Sequence, residues 1–232
     1  MNNSNKPTEP VSSQFVPTDR TRVRRYPARA RYERATIEAI LDEGMVCHVG
    51  FVHDGHPFVL PTMYVRDGER ILIHGSPLSR MLTGAAEGLA LCVTVTLLDG
   101  VVMARSAFHH SMNYRSVAII GRAREVIEPT AKLAAMRALV ERLIPGRWAD
   151  VRQPTPGEIA GTRVLEIPLL EASAKVRTGG PVELAEDESF PVWAGVVPLS
   201  LTPGEPISDA KLAPGIEAPE YVRRWRCAGR RP

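Results

Sequence analysis

The 232-residue sequence has no apolar run long enough to cross a bilayer, for which a helix needs about 20 such residues. Met1–Pro10 is polar and lacks the apolar segment of a secretory signal peptide. These absences argue against a membrane partner, and we expect a cytoplasmic protein. Hydrophobic residues still make up 44% of the chain, which is enough for a large domain with a sizeable core.

Most signatures of self-contained catalytic chemistry are missing as well. The sequence has no Gly-x-Ser-x-Gly elbow, no G-x-G-x-x-G or P-loop, and no carboxylate pair at a defined spacing. The six histidines lack a second ligand at a metal-motif spacing, so no metal site is predicted. The three cysteines, Cys47, Cys92 and Cys227, form no CxxC motif and are odd in number, which favours buried thiols over disulfides.

Arginine is concentrated in two stretches, one near each end of the chain, and the sequence between them is acidic. Such stretches can bind nucleic acid, but these contain few aromatic residues for stacking on bases. We therefore predict no nucleic-acid partner and interpret them as solvated tails or as arms on an acidic neighbouring subunit. The arginines are Arg20, Arg22, Arg24, Arg25, Arg29, Arg31 and Arg34, and then Arg223, Arg224, Arg226, Arg230 and Arg231.

Alternating β-branched runs in the middle of the chain predict an antiparallel sheet. They meet at Asp54-Gly55, Asp67-Gly68 and Asp99-Gly100, pairs that suit type I′ hairpin turns. We predict a mainly β protein in which a meander closes into a small barrel, because closure removes exposed edges. A late strand is expected over Thr162–Val176, with Pro168 as a break in it.

Helical spacing of apolar residues predicts a few peripheral helices. One covers 31–43 and stops at Gly44, and one covers Pro77–Ala86 with Ser76 as its N-cap. A third covers Pro129–Leu143, with an apolar stripe of Leu133, Met136, Val140 and Leu143. Residues 1–20 are predicted to be a flexible tail, 21–205 the folded domain, and 206–232 a peripheral tail.

Three polar clusters lie at the ends of predicted strands: Ser76–Arg80, Tyr114–Ser116 and Ser173–Arg177. Their cations and hydroxyls, with backbone donors at a helix start, suit a phosphate. Together they fit a ligand with one phosphate and a large hydrogen-bonding ring. The second cluster belongs to a donor-rich stretch, Arg105–Gly121, which reads equally well as a ligand site or as a polar hairpin loop.

Several segments, in order and spacing, carry a resemblance to a known family. They are Gly55-His-Pro-Phe-Val-Leu-Pro-Thr-Met-Tyr-Val, Ile73-His-Gly-Ser-x-x-Ser-Arg80, Tyr114-Arg-Ser-Val-x-x-x-Gly-x-Ala123, Ser173-Ala-Lys-Val-Arg-Thr-Gly179 and Val192-Trp-Ala-Gly-Val-Val-Pro198. Over about residues 20–205 the chain resembles the FMN-binding split-barrel superfamily of pyridoxamine 5′-phosphate oxidase. It is most similar to the flavin-nucleotide-binding branch that includes the nitroimidazole-resistance reductases. The resemblance implies a six-stranded antiparallel split barrel, a homodimer, and FMN in the cleft between subunits.

The resemblance also implies which residues surround the cofactor. The first group lies on a strand whose backbone faces the flavin ring. The second group lies at the end of the next strand and the start of the following helix, where its residues approach and bind the ribityl phosphate. The third group lies at the start of a later strand and reaches the flavin. The fourth group comes from the C-terminal part of the domain and contacts the cofactor from the same subunit or across the dimer. In that order the expected cofactor-binding residues are Pro61, Thr62 and Met63; His74, Gly75, Ser76, Ser79 and Arg80; Arg115 and Ser116; Lys175, Arg177 and Trp193.

Two departures bear on the activity. Met81 stands where the oxidase has a lysine, so phosphate binding is weaker or another cation substitutes. The tryptophan and Arg-Leu-Pro ending of the oxidase is not recognisable in Arg223–Pro232, so vitamin B6 oxidation is not expected. We predict an FMN-dependent oxidoreductase acting on a small electron-poor substrate. The alternative is a non-catalytic flavin- or haem-binding module, in which His48, His74 or His110 ligates iron.

Overall fold

The computed structural model describes residues 12–225 and is dominated by antiparallel sheet. The sequence predicted six strands, whereas the described residues form ten. They are β1 (Ala30–Arg31), β2 (Val46–His53), β3 (His56–Asp67), β4 (Arg70–Gly75), β5 (Ala90–Met103), β6 (Ser111–Arg122), β7 (Arg124–Glu125), β8 (Arg163–Pro168), β9 (Glu171–Arg177) and β10 (Gly195–Pro198). The helices are α1 (Arg34–Glu43), α2 (Arg80–Ala86), α3 (Pro129–Leu143), α4 (Arg147–Asp150), α5 (Pro156–Ala160) and α6 (Glu220–Arg223), besides a 3-10 turn at Pro27–Arg29.

The strands close into a barrel, as predicted. Their order is β1-β9-β6-β5-β2-β3-β4-β8-β7, and β10 pairs with β5. Strands β8 and β9 lie near opposite ends of this order, yet only Leu169 and Leu170 separate them in sequence, so the sheet must curve back on itself. The predicted late strand is therefore bent into two, and Pro168 marks the bend.

Two of the three predicted Asp-Gly hairpins are confirmed. Asp54 and Gly55 have φ of +50° and +76°, which a type I′ turn between β2 and β3 requires. Gly68, with φ +57°, lies in the turn between β3 and β4.

The predicted turn at Asp99-Gly100 is wrong, because β5 runs straight through it with a register shift between Leu98 and Gly100. A side chain at Gly100 would lie 2.9 Å from Val196 Cγ1 and 3.0 Å from the Val197 carbonyl oxygen. Glycine is needed there for the close approach of β10, not for a reversal of the chain.

The barrel interior is filled by alternate residues of its strands. Val49, Tyr64, Ile73, Val95 and Ile119 are all at most 1% exposed and belong to one core. Two cysteines belong to the barrel, and burial raises the pKa of the Cys47 thiol to about 12. Cys227 lies outside the described residues.

Helix α1 closes one end of the barrel and stops before Gly44, as predicted. A side chain at Gly44 would meet Val95 Cγ1 at 2.5 Å and the Tyr64 hydroxyl at 2.6 Å, so glycine permits close packing as the helix ends. Helix α3 has the predicted bounds, but its buried residues are Ala135 and Leu139, and of the predicted stripe Met136 packs beside them. The two buried residues pack on the outside of the barrel, against β3, β4 and β8.

Residues 12–20 of the predicted tail contact the folded domain. Gln14 bridges to Glu33, and Phe15 is 4% exposed within the barrel core, because its ring is the apolar group that this polar stretch can bury. Residues 1–11 lie outside the described part. Residues 206–225 are mostly exposed. No helix in 12–225 has the length and apolarity that crossing a membrane demands.

Candidate functional site

Strands β3 and β4 separate in the middle of the sheet and leave an opening. β3 pairs with β2 from His56 to Met63 but with β4 only from Tyr64 to Asp67. β4 continues through His74 and Gly75, where its ladder partner is β8. We call the opening the strand fork and define it as residues 58–63 and 74–80. Its facing backbone edges have no ladder partner within residues 12–225, so they can offer N–H and C=O groups to a ligand.

The loop from β4 to α2 forms one side of the strand fork, and it is held by its own hydrogen bonds. The Ser79 amide donates to the Ser76 carbonyl at 3.0 Å, and the Leu78 amide donates to Ser76 Oγ at 3.2 Å. The predicted start of this helix is wrong: it begins at Arg80, and Ser76 with Pro77 forms a turn before it. A serine hydroxyl bonded two residues ahead stabilises a turn instead of a helix start.

Arg163 on β8 braces this loop from outside. Its Nη1 lies 3.1 Å from Thr83 Oγ1, and that hydroxyl donates to the Pro77 carbonyl at 3.0 Å. Gly75 allows the helix to pack closely, because a side chain there would lie 2.9 Å from Leu82 Cδ1. The loop is thus positioned before any ligand arrives.

Arg80 is the cation of the strand fork. It is exposed, and its guanidinium carbon lies 5.1 Å from the centre of the Phe58 ring. Within residues 12–225 no carboxylate lies within 4.0 Å of it, so its charge is free to meet an anion. Met81 is 6% exposed and packs in the barrel core, so the position at which the oxidase has a lysine points away from the opening.

His74 lines the strand fork and is partly buried. Burial lowers its pKa from 6.5, and its Nδ1 is buried without a hydrogen-bond partner among the described residues. On the other side of the opening, Val59 and Leu60 are 65% and 39% exposed and Pro61 is exposed too. The opening therefore has one polar side and one apolar side.

A second concave region lies across the sheet, separated from the strand fork by β2 and β5. It is a cleft of about 740 Å³, which we call the arginine cleft. Three arginines line it, together with two adjacent histidines and apolar side chains: Arg25, Tyr26, Arg29, Phe108, His109, His110, Ser111, Arg177, Val182, Glu183 and Leu184.

Arg177 is the most buried cation of the arginine cleft, at 5% exposure. It donates to Asn113 Oδ1 and, at 3.3 and 3.0 Å, to the carbonyls of Gly179 and Gly180, all of them neutral oxygens. Burial, and secondarily the charge of Arg29, lower its pKa. It stays cationic because the guanidinium pKa is so high, and no carboxylate of residues 12–225 lies within 4.0 Å of it. An anionic ligand would compensate this charge.

The other groups of the arginine cleft are held in place by their neighbours. Glu183 accepts from the backbone amide and the guanidinium of Arg105, so its carboxylate is already engaged. His109 Nδ1 lies 2.8 Å from Ser106 Oγ, and His110 Nδ1 lies 3.0 Å from the Ser106 carbonyl oxygen. No local sequence pattern indicates that 25–29 and 182–184 meet these histidines, although the N-terminal arginine run is evident.

A family model described as pyridoxamine 5′-phosphate oxidase matches residues 33–176, more than half of the chain. The protein belongs to the pyridoxamine 5′-phosphate oxidase family. No curated protein matches it.

Solved structures match it over most of its length. The flavocytochrome Anf3 from Azotobacter vinelandii is 41% identical with a TM-score of 0.87, and the match covers 92% of this chain and 100% of that one. The FAD and heme binding protein from Mycobacterium smegmatis is 37% identical with a TM-score of 0.83, covering 88% and 100%. A candidate 5-nitroimidazole antibiotic resistance protein from Bacteroides thetaiotaomicron, at 19% identity, TM-score 0.52 and coverage of 63% and 86%, shares the fold.

Twelve of the thirteen expected cofactor residues fall into two groups, and Trp193 lies apart from both. Pro61, Thr62, Met63, His74, Gly75, Ser76, Ser79 and Arg80 come together at the strand fork. Arg115, Ser116, Lys175 and Arg177 lie on β6 and β9, beyond β2 and β5. Trp193 is 63% exposed and precedes β10. One subunit therefore does not gather all thirteen around a single ligand.

Arg115 has a structural role that the sequence did not predict. Its guanidinium bonds Asp99 Oδ1 at 2.7 Å and Glu43 Oε1 at 2.9 Å, which raises the pKa of Arg115. The Arg115 guanidinium is therefore already paired with two carboxylates, and its contact with the flavin stays a prediction. Ser116 Oγ donates to the Lys175 carbonyl at 3.3 Å, and Lys175 Nζ lies 6.0 Å from the centre of the Tyr26 ring.

Proposed function

We propose that this protein is an oxidoreductase that binds a flavin together with haem. The observation that carries the proposal is the likeness to a flavocytochrome, at 41% identity over 92% of this chain, and to an FAD and heme binding protein, at 37% identity over 88% of it. The sequence-based alternative of a flavin- or haem-binding module shares the cofactors with this proposal and differs from it only in turnover.

The strand fork suits the flavin. Its unpaired backbone edges can bond the polar rim of a flavin ring, and the apolar side at Val59–Pro61 can cover a ring face. The braced loop offers Arg80 and the Ser79 hydroxyl to a phosphate. When bound, the flavin would supply the hydride or electron chemistry, and the protein would orient it and its acceptor.

We propose FAD in preference to the FMN expected from the sequence. A terminal phosphate monoester carries close to two negative charges at neutral pH, as phosphoserine does. The loop offers one arginine, and Met81 points into the core, so it is poorly equipped for a dianion. Each phosphate of the FAD pyrophosphate carries a single charge, which one arginine matches better.

We also propose that the protein works as a homodimer. Val46, Val52 and Val59 on the outer face of β2 and β3 are 49–65% exposed, more apolar surface than these strands would leave to water without a partner. A second copy would cover the open side of the strand fork. The proposed acceptor is a small electron-poor molecule that enters beside the flavin.

An absorption spectrum of the purified protein tests the cofactors. We expect flavin bands and a Soret band, with FAD identified by chromatography after release from the protein. Reduction with dithionite followed by addition of nitroaromatic acceptors then tests turnover. A colourless protein that takes up neither added flavin nor hemin would overturn the proposal, and bound cofactors without reoxidation by any acceptor would favour the non-catalytic module.

A further inference from the structure

We infer that the arginine cleft is the haem site, with His110 Nε2 as the iron ligand and with Arg29 and Arg177 facing the propionates. This inference rests on the proposed function, which requires a haem but does not say where it binds. The arginine cleft provides the three features that haem needs: an imidazole for iron, cations for carboxylates, and apolar walls for the macrocycle.

The hydrogen bond of His110 fixes which of its ring nitrogens can bind iron. A carbonyl oxygen only accepts, so the 3.0 Å contact between His110 Nδ1 and the Ser106 carbonyl places the proton on Nδ1. Nε2 then keeps its lone pair and can ligate a metal. Histidine ligands in metalloproteins are commonly oriented by such a second bond. His110 is also exposed, so a ligand can reach it.

The cations of the arginine cleft indicate an anionic ligand. Arg177 is 5% exposed and bonded only to neutral oxygens among the described residues. Arg29 adds a second charge beside it and has no ion pair within residues 12–225. Two neighbouring cations match a ligand with two carboxylates, which the propionates provide.

The walls of the cleft and a strained residue at its rim support the same ligand. Phe108, Val182 and Leu184 supply apolar surface, and about 740 Å³ lies within the range of about 300–1,000 Å³ for cofactor-sized ligands. Tyr26, which lines the cleft, has φ of +56°. Residues other than glycine rarely adopt this backbone conformation, and those that do are concentrated at ligand sites.

The two other histidines named as iron ligands fit less well. His48 lines a space of only about 220 Å³ that also contains Glu43 and has no cation among its lining residues. His74 belongs to the strand fork, beside the loop that we assign to the flavin. The arginine cleft is therefore the better match to the whole haem molecule.

Titration of the haem-free protein with hemin, followed by the Soret band, tests the ligand. We expect His110→Gly to lose the wild-type Soret band, and added imidazole to restore it by filling the vacated position. His48→Gly is the matched control and should bind hemin as wild type does. A normal Soret band in His110→Gly would overturn the inference, and so would its loss in His109→Gly in place of His110→Gly.

The propionates are tested with hemin dimethyl ester, which keeps the ring and iron but lacks the charges. We expect Arg29→Ala to bind hemin about tenfold more weakly than wild type. The ester should bind wild type and Arg29→Ala equally. If hemin itself also binds wild type and Arg29→Ala equally, the assignment of Arg29 is refuted. A wild-type protein that binds no hemin under any condition would contradict the proposed function. Hemin binding that is unchanged in His110→Gly would contradict only this inference.

Discussion

The strand fork and the arginine cleft both contain cations, but the arginine of the fork is exposed to water and one arginine of the cleft is buried. Arg80 at the fork is exposed and rests on Phe58, so water already screens its charge. Arg177 in the cleft is buried and, among residues 12–225, bonded only to neutral oxygens. An anion at the fork thus replaces water, whereas an anion in the cleft compensates a charge that water no longer reaches. We therefore expect the cleft to depend more strongly on its ligand.

The two regions also differ in how they are held. The loop of the fork is braced by Thr83 and Arg163, which bond backbone and hydroxyl oxygens. The cleft wall at 182–184 is tied to β5 and its following loop by the bonds between Glu183 and Arg105. Because the two regions share no bracing residue, a substitution at one should leave the ligand of the other in place.

The largest expected effect is a loss of flavin affinity that leaves hemin affinity unchanged. Arg80→Ala should weaken flavin binding by about 1.5–3 kcal/mol, because it removes a charge-assisted bond to a phosphate. Hemin binding should not change. Fluorescence titration with flavin measures the effect, and Arg124→Ala, an exposed arginine on β7, is the control. Unchanged flavin affinity would mean that the phosphate is held elsewhere.

Arg115→Met should lower the free energy of unfolding by about 2 kcal/mol and leave both cofactors bound. The substitution removes the Arg115 cation from the Glu43 carboxylate, whose side chain is only 9% exposed. Urea denaturation measures the loss. Arg152→Met breaks an exposed pair with Glu158 and should cost less than about 1 kcal/mol. Loss of flavin from Arg115→Met without loss of stability would restore the sequence-based role.

Thr83→Val should weaken flavin binding by about 1 kcal/mol, roughly fivefold, although Thr83 makes no proposed contact with it. The change removes the hydroxyl that links Pro77 and Arg163, and the phosphate loop then loses its brace. Thr83→Ser keeps the hydroxyl and should bind flavin as wild type does. Equal affinities in the valine and serine variants would exclude the bracing role.

A pH dependence of stability is also expected at the fork. The pKa of His74 is below 6.5 in the folded protein, so below pH 6.5 the unfolded chain binds a proton that the native state does not. His74 should therefore reduce stability as the pH falls from about 7 toward 5, by at most about 1.4 kcal/mol per pH unit. Urea denaturation of wild type and His74→Gln should show a difference that shrinks at low pH. A constant difference would mean that folding leaves the pKa of His74 unchanged.

The fork could be predicted from the sequence because its residues are close together in the chain. Residues 58–80 cover both strands and the helix start, and two Asp-Gly turns fix the strand register. The error at Ser76 concerned only where the helix begins, since a serine hydroxyl stabilises a turn and a helix start by similar bonds.

The arginine cleft could not be predicted in the same way, because it joins four segments distant in sequence. Neither the pairing of β1 with β9, which brings Arg29 to Arg177, nor the fold of 182–184 has a local signal. The ion pairs of Arg115 could not be predicted either, because a motif shows that a cation is present but not that Glu43 and Asp99 pair with it. Asp99-Gly100 was misassigned because the glycine serves the packing of β10.

The central claim is that flavin and haem occupy separate regions of one subunit. Flavin and haem contents of wild type, Arg80→Ala and His110→Gly, each measured on a single preparation by chromatography and by the Soret band, test it most directly. We expect Arg80→Ala to lose flavin and keep haem, and His110→Gly to lose haem and keep flavin. Joint loss of both cofactors in either variant, from a folded protein, would contradict the claim.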